Sequence, residues 1–210
     1  MQNKNMRTEH DLIGEMRLNA SELYGIHTAR ALDNFPVTGN PISIYPGLIN
    51  ALTCVKQACA EANLSFGLLP EHKAKAIIQA CELIRAGKYH DRFVVDVIQG
   101  GAGTSTNMNA NEVIANVALK LIGRQPGEYQ YLHPLEDVNM SQSTNDVYPT
   151  SIRIALNYEI LKLHAAMNVL INAFEKKSHE FGRFLKVGRT QLQDAVPMTL
   201  GQEFSTYSVM

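Results

Sequence analysis

Apolar residues recur every three or four positions along most of the chain, and short polar runs interrupt them. Between Pro46 and Ser65, the residues Leu48, Ile49, Leu52, Val55, Cys59 and Ala62 keep that spacing, which predicts a helix. Pro46 suits its start and Gly67 its end. A second helix is predicted from about Pro70 to Ala86, with Ala74, Ile77, Ile78, Cys81 and Ile84 on its apolar face. The two are expected to pair as a helical hairpin. A third ends near Gly123 and uses Val113, Ile114, Val117, Leu121 and Ile122. The longest pattern runs from about Pro149 to Phe181 through Ile152, Leu156, Ile160, Leu163, Met167, Leu170 and Phe174. At 1.5 Å per residue, ~33 residues span roughly 50 Å, so the partners of this helix must be equally long. Pro197 is expected to open one more helix, running to Met210 without a stop signal.

The remainder carries weaker periodicity. Residues 1 to about 45 read as irregular, with a strand-like alternation at Tyr24 and Ile26 and a helical turn or two over Ala29 to Phe35. Arg7, Arg17 and Arg30 read individually as surface ion-pair partners. Phe93 to Ile98 predicts a short strand or a buried extended segment. Residues 124–140, with Pro126, Gly127 and Pro134, read as a connector and mark a domain boundary. The expected architecture is mainly α, with little β. A helical N-terminal domain over 1–140 is followed by the first part of a long-helix bundle over 141–210.

Composition narrows the function classes. The net charge of −1 over 210 residues argues against nucleic acid or an acidic membrane surface as partner. No apolar run is long enough to span a bilayer, and the polar N-terminus lacks the apolar core of a signal peptide. Cys54, Cys59 and Cys81 fall inside helical patterns without CxxC spacing, which fits reduced, buried thiols in the cytoplasm. The histidines show no metal-ligand spacing.

The polar runs hold the candidate chemistry. Ser141 to Asp146 reads SQSTND and directly precedes the longest helix. Such residues cap helix starts, and a helix start is also a seat for an anion, so the stretch is either a cap or a carboxylate or phosphate site. Thr104 to Asn111 repeats this chemistry before the third helix. Its Asn107, Asn109 and Asn111 would be expensive to bury without partners. The preceding Gly100–Gly103 run, GGAG, lets backbone approach something closely. It matches neither a Walker loop nor a dinucleotide fingerprint.

Three motifs stand together: GTSTNMNANEV at Gly103–Val113, NMSQSTNDVYPT at Asn139–Thr150 and GRTQLQDAVPMTLGQEF at Gly188–Phe204. In this order and spacing they resemble the fumarase/aspartase superfamily over nearly the whole chain. DLIGE at Asp11–Glu15 and YGIHTARALDNF at Tyr24–Phe35 are similar to its aspartate ammonia-lyase branch. The resemblance implies an L-aspartase-like fold and a homotetramer built around long helices, with each active site shared among three subunits. The implied reaction is reversible elimination of ammonia from L-aspartate to fumarate, through an aci-carboxylate intermediate. Thr104, Ser143 and Thr144 match positions that hold the substrate carboxylate, Asn145 one near the leaving amino group, and Thr190 one contacting substrate from another subunit. Gln191 stands where fumarases and some aspartases have histidine; it cannot titrate and reads as a hydrogen-bonding residue for the substrate, or as a polar turn residue.

The family's Gly-Ser-Ser-x-Met-Pro-x-Lys-x-Asn loop, which carries the catalytic serine base, is absent from these 210 residues and is expected after Met210. No catalytic base is therefore assigned within the chain, which is expected to be inactive alone. A fumarase-type second dicarboxylate site is not expected either: His133 is present, but Leu135 and Glu136 replace its polar residues. No cofactor is required by the implied chemistry; divalent metal activation is left open. The alternatives are a fumarase or another lyase of the superfamily, and a non-catalytic helical module that binds dicarboxylates or mediates assembly.

Overall fold

The computed structural model describes residues 5–210, so the first four residues of the polar N-terminal stretch fall outside the description. The chain is mainly helical. In order it forms strands β1 (Met6–Asp11) and β2 (Gly14–Asn19), helices α1 (Ile26–Asn34), α2 (Pro46–Ser65), α3 (Glu71–Arg85), α4 (Thr104–Leu121) and α5 (Thr144–Glu180), strands β3 (Leu185–Thr190) and β4 (Gln193–Thr199), and helix α6 (Leu200–Val209). β1 pairs with β2 and β3 with β4, each pair antiparallel and two-stranded. Contacts divide the chain into two units, Met1–Leu156 and Asn157–Met210, so the division falls inside α5, whereas the sequence places a boundary after residue 140.

The first unit is built around α4. Every residue of α4 from Thr106 to Leu119 is buried, as expected of a helix enclosed by its neighbours. α1, α2 and α3 pack against it, and α2 and α3 form the expected hairpin. Ile49, Leu52, Ile77, Ile84, Ile114 and Leu119 fill the space between. The predicted ends of α4's apolar stripe, Leu121 and Ile122, are exposed instead.

The buried face of α2 differs from its apolar stripe. It consists of Ile49, Ala51, Leu52, Thr53, Lys56, Ala60 and Asn63, while Ala62 is exposed. The helix is turned because Lys56 and Asn63 have buried hydrogen-bond partners, which a hydrophobic count cannot register. Of the cysteines, Cys81 is buried, Cys59 half-buried and Cys54 exposed, which corrects the reading of all three as buried.

The N-terminal region is more regular than the sequence suggests. The Asp11 carboxylate accepts the N–H groups of Ile13 and Gly14 at 2.9 and 3.1 Å, closing a tight turn with Gly14 at φ 136°. The hairpin escaped the sequence reading because both its faces are largely polar, with only Glu9 and Leu18 buried. Arg7 is not a surface residue: its guanidinium pairs with Glu9 at 2.7 Å and donates to the carbonyls of Glu22 and Tyr24 at 2.7 and 2.6 Å. Arg30 forks onto Asp11 at 2.6 and 2.9 Å. That pairing, with burial opposing it, holds the Asp11 carboxyl at about 2.

Tyr24 and Ile26 are not part of a strand; α1 begins at Ile26. Its cap comes from far along the chain. The buried Glu112 carboxylate accepts the N–H groups of Gly25, His27 and Thr28 at 2.8–3.1 Å, and Glu9 accepts that of Ile26 at 2.8 Å. With no local capping side chain, α1 leaves no start signal in the sequence.

Phe93–Ile98 is the buried extended segment rather than a strand. It bonds the 40–43 backbone through Ile42 N–H to Val95 C=O, Ser43 N–H to Phe93 C=O and Val97 N–H to Asn40 C=O. In the connector, Pro134–Val138 forms a π-type turn capped by His133, whose Nδ1 accepts the N–H groups of Leu135 and Glu136 at 3.1 and 3.2 Å.

The second unit holds the C-terminal part of α5, the β3–β4 hairpin and α6. Phe174, Phe181, Phe184, Phe204 and Tyr207 form a cluster of aromatic contacts, with ring centroids 5.3–6.2 Å apart. Gly201 sits so close to α5 that an added Cβ would lie 2.4 Å from the Ser178 carbonyl oxygen. Pro197 does not open the last helix. It lies in β4 opposite Val187, where a two-stranded sheet tolerates proline, and α6 starts at Leu200. There Thr199 and Gln202 form a reciprocal capping box, with bonds of 3.0 and 2.8 Å. Along α5, Leu161, Leu163, Val169 and Leu170 are exposed. Among the described residues no helix is long and apolar enough to cross a membrane.

Candidate active site

The polar residues of α4 are struts, each fastening a different segment. Asn109 accepts the Val94 N–H at 2.9 Å and donates to the Arg92 carbonyl, which fixes the extended segment. Asn116 donates to the Leu23 carbonyl and the Tyr129 hydroxyl and accepts the Gly127 N–H. Thr106 and Gln99 bond reciprocally, tying down the entry to the GGAG loop. Asn107 and Asn111 both donate to Asn139 Oδ1, at 3.1 and 3.2 Å. The asparagines are buried as anticipated to be costly, and all four are engaged, although Oδ1 of Asn107 and of Asn111 has no partner.

The GGAG loop is held between two aromatic rings. A Cβ on Gly100 would lie 2.9 Å from the Phe35 ring, and one on Gly103 would lie 2.1 Å from the Tyr148 ring. Gly103 also has φ 86°, a left-handed conformation that glycine adopts without strain. Tyr148 belongs to the start of α5, so this contact brings the first turn of α4 against the first turns of α5. The Asn107 Nδ2 to Thr144 Oγ1 bond, at 3.0 Å, joins the same two helix starts.

Four of the six residues singled out in the sequence lie at this junction. Thr104 opens α4, Thr144 opens α5, Ser143 precedes it and Asn145 follows. Thr104, Ser143 and Asn145 are exposed and Thr144 half-exposed. Ser143 does cap its helix: its hydroxyl oxygen accepts the Asn145 N–H at 3.2 Å, and its carbonyl accepts those of Asp146 and Val147. This leaves the hydroxyl proton without an acceptor among the described residues. The Thr144 hydroxyl is likewise an acceptor, from Asn107, with its own proton free. A hydroxyl that accepts one internal bond still has its proton to donate, and the proton rotates to meet an acceptor. Cap and anion seat are therefore compatible roles of the same side chains. Two helix N-termini and hydroxyls with a donor to spare make a junction suited to a carboxylate without a formal positive charge at its mouth.

Asn145, Tyr148 and Pro149 line a cavity of about 420 Å³ together with Ile98, Gln99 and Gly101. A broader cleft of about 1030 Å³ in the same unit is lined by His10, His27, Arg30, Ser105, His133 and Leu135. Its one arginine is already bound by Asp11, and His133 Nδ1 by the backbone, so this cleft offers a ligand few free donors.

Thr190 and Gln191 stand in the second unit, exposed, at the tip of the β3–β4 hairpin. Gln191 and Leu192 form its two-residue loop with φ 52° and 63°. Both central residues of such a turn need positive φ, which favours Gly or Asn. Here neither is present, and each left-handed residue costs roughly 1–2 kcal/mol. Ser141, at φ 60°, is a third non-glycine residue in this conformation beside a candidate motif.

Sequence reasoning missed one residue of this network. Lys56, from α2, is fully buried and reaches Asn139 and Gln142, directly before Ser143. Its only signal was a lysine beside an apolar stripe, which ordinarily marks the solvent edge of a helix.

A family model described as lyase matches residues 14–210. The chain belongs to this lyase family. It is 58% identical over 202 residues to an aspartate ammonia-lyase of Pseudomonas canavaninivorans, covering 96% of the chain and 43% of that protein. The crystal structure of a fumarate lyase:delta crystallin from Brucella melitensis superposes with a TM-score of 0.89 at 52% identity, over 97% of the chain and 47% of that one. A class II fumarase from Schistosoma mansoni gives 0.83 at 34% identity, over 97% and 43%. The chain thus spans less than half the length of the curated relatives it matches. Among the described residues no group of histidine, cysteine, aspartate and glutamate is arranged to hold a metal ion.

Proposed function

We propose that the chain is the N-terminal portion of an aspartate ammonia-lyase, contributing carboxylate-binding donors to the reversible elimination of ammonia from L-aspartate to fumarate. The observation that carries this reading is the junction of α4 and α5, where the Ser143 and Thr144 hydroxyls each accept a bond from within the protein and keep a donor for a ligand. Identity supports the aspartate branch, at 58% against 34% for the fumarase.

The chemistry needs such donors. A base removes a proton from the carbon next to the side-chain carboxylate, and the electrons move onto that carboxylate as a dianionic aci form. The electrons return to form the carbon–carbon double bond as the carbon–nitrogen bond breaks and ammonia leaves. Stabilising the dianion is the largest demand, and preorganised hydroxyl and N–H donors meet it. Thr104, Ser143 and Thr144 take this role, Asn145 faces the amino group, and Thr190 and Gln191 serve a site completed by neighbouring subunits of a homotetramer. The serine base comes from sequence outside these 210 residues. No cofactor is required, a divalent cation acts at most as activator, and the enzyme works in the cytoplasm. The exposed leucines of α5 supply the apolar faces that such an assembly covers.

The test is to assay the polypeptide carrying this segment at its relatives' full length against L-aspartate, L-malate and other amino acids side by side. Fumarate and ammonia are expected from aspartate alone. Ser143→Ala is expected to lower turnover by ~10²–10³ while the tetramer persists, by analogy with removal of an oxyanion donor. Turnover of malate in preference to aspartate would replace this reading with fumarase, and dicarboxylate binding without turnover would replace it with a binding module.

A further inference from the structure

Lys56 is a lysine with no exposed surface and no carboxylate bonded to it. Its Nζ donates to Asn139 Oδ1 at 2.7 Å and to Gln142 Oε1 at 2.9 Å. Because Nζ is the donor in both bonds, each amide must present its oxygen to it. Both oxygens must turn inward. The nitrogen of Asn139 is then directed to the Gln142 carbonyl at 3.1 Å, and that of Gln142 to the carbonyls of Val138 and Met140 at 2.9 and 3.1 Å. The 138–142 backbone is pinned by these three bonds.

The same polarity passes to the junction. Because Asn139 presents its oxygen, Asn107 must present its amide nitrogen to it, at 3.1 Å. The second hydrogen of that nitrogen points to Thr144 Oγ1 at 3.0 Å. Thr144 is thereby an acceptor inside, which leaves its proton for an acceptor outside. Turning the Asn107 amide over would give its oxygen the Thr144 hydroxyl as donor, but would set that oxygen against Asn139 Oδ1. The unpartnered Oδ1 of Asn107, and that of Asn111, show that local satisfaction is sacrificed to this polarity.

We propose that Lys56 is a positioning residue that fixes the outward donor orientation of the Thr144 hydroxyl, acting through the side chains of Asn139 and Asn107. The proposal rests on the reading of Thr144 as a carboxylate donor. Lys56 touches no substrate. Its effect is on the transition state, where charge accumulates on the carboxylate that Thr144 faces, and hydrogen bonds in such a chain reinforce one another.

The experiment uses the full-length protein with Lys56→Met, Thr144→Val and the double variant. Lys56→Met is expected to lower kcat 10- to 100-fold with KM for aspartate within twofold. The double variant is expected to be no slower than Thr144→Val by more than about threefold, because both substitutions break one relay. Rate losses that multiply, or a Lys56→Met enzyme with native kcat, would overturn the proposal. Hydrogen exchange supplies a readout independent of the reaction: amides of residues 138–147 should exchange at least tenfold faster in Lys56→Met, with those of α3 unchanged. Native protection there would also overturn it, whereas loosened exchange in a protein that releases no ammonia from aspartate would defeat the assigned reaction and leave the positioning role standing. Should Lys56→Met fail to fold, Asn139→Ala takes its place in the same cycle with the same criteria.

Discussion

The two units of the chain handle their awkward residues in opposite ways. In Met1–Leu156 the polar groups are inside: Lys56, Asn107, Asn109, Asn111, Glu112 and Asn116 are all buried, and nearly every polar atom they carry is bonded. In Asn157–Met210 apolar groups are outside: Leu161, Leu163, Val169 and Leu170 along α5 are more than half exposed. The first unit turns these groups inward, where they fasten the segments around α4. The second presents side chains that monomeric proteins ordinarily bury, together with a strained turn. Residue type alone would have assigned the inside and the outside the other way round at these positions.

The left-handed backbone positions sharpen this comparison, because the first unit fills most of them with glycine, Tyr89 and Ser141 excepted, and the second fills its two with Gln191 and Leu192. The first unit uses glycine at Gly103, where the absent side chain is also what admits Tyr148. Gly103→Ala adds both a left-handed penalty and a clash at 2.1 Å with an aromatic ring. Together these are expected to destabilise the protein by about 3 kcal/mol, through strain of roughly 1–2 kcal/mol and overpacking of a similar size. Urea unfolding of the full-length chain measures it. A loss below about 1 kcal/mol would mean that the two helix starts can separate cheaply.

The buried lysine makes a second difference measurable through pH. Burial drives the Lys56 ammonium down to about 7 from its usual 10.5. Its neighbours do not supply a counter-charge: burial pushes the Cys81 thiol up to about 12 and raises that of Cys59, so both stay neutral. Between about 7 and 10.5 the unfolded chain keeps this proton and the folded chain releases it. Stability attributable to Lys56 therefore rises with pH through that window, by about 1.4 kcal/mol per unit, and is lowest below it. Lys56→Met should flatten that slope in denaturation measured across the window. An unchanged slope would place the titrating group elsewhere.

Helices α2 to α4 were legible because their apolar periods are long and their stop signals local, with Gly67, Gly87 and Gly123 all close to the observed ends, whereas α5 starts at Thr144, ahead of the expected Pro149, which lies inside the helix. α2 was read to its observed ends, Pro46 and Ser65. The elements that were not legible depend on distant or reciprocal partners. α1 is capped by Glu9 and Glu112, which lie 17 and up to 87 residues away. The β1–β2 hairpin shows no alternation because neither face is covered by an apolar layer. Pro197 misled because proline serves an edge strand as well as a helix start, and the deciding Thr199–Gln202 box lies just beyond it. At the candidate site the motifs pointed to residues that the fold brings to one junction, Thr104 and Ser143 to Asn145. The relay behind them was hidden, because a lysine in a helix gives no sign of which way it faces.

The smallest expected effect separates strain that serves a site from strain that does not. Gln191 and Leu192 share one turn and one backbone conformation, at φ 52° and 63°, and both are exposed. Glycine relieves a left-handed penalty of roughly 1–2 kcal/mol but adds roughly 0.5–1 kcal/mol of chain entropy, so either replacement should stabilise the protein by about 0.5–1 kcal/mol. Their effects on turnover should part company. Leu192 is not among the residues matched to substrate, and Leu192→Gly should leave kcat/KM within about twofold. Gln191→Gly should gain the same stability and lose turnover, since the amide proposed to face substrate goes with the side chain. Thermal unfolding and steady-state rates on the two full-length variants decide it. Equal retention of turnover would make Gln191 a turn residue only, and equal loss would mean that the hairpin's shape, rather than either side chain, is what the site requires.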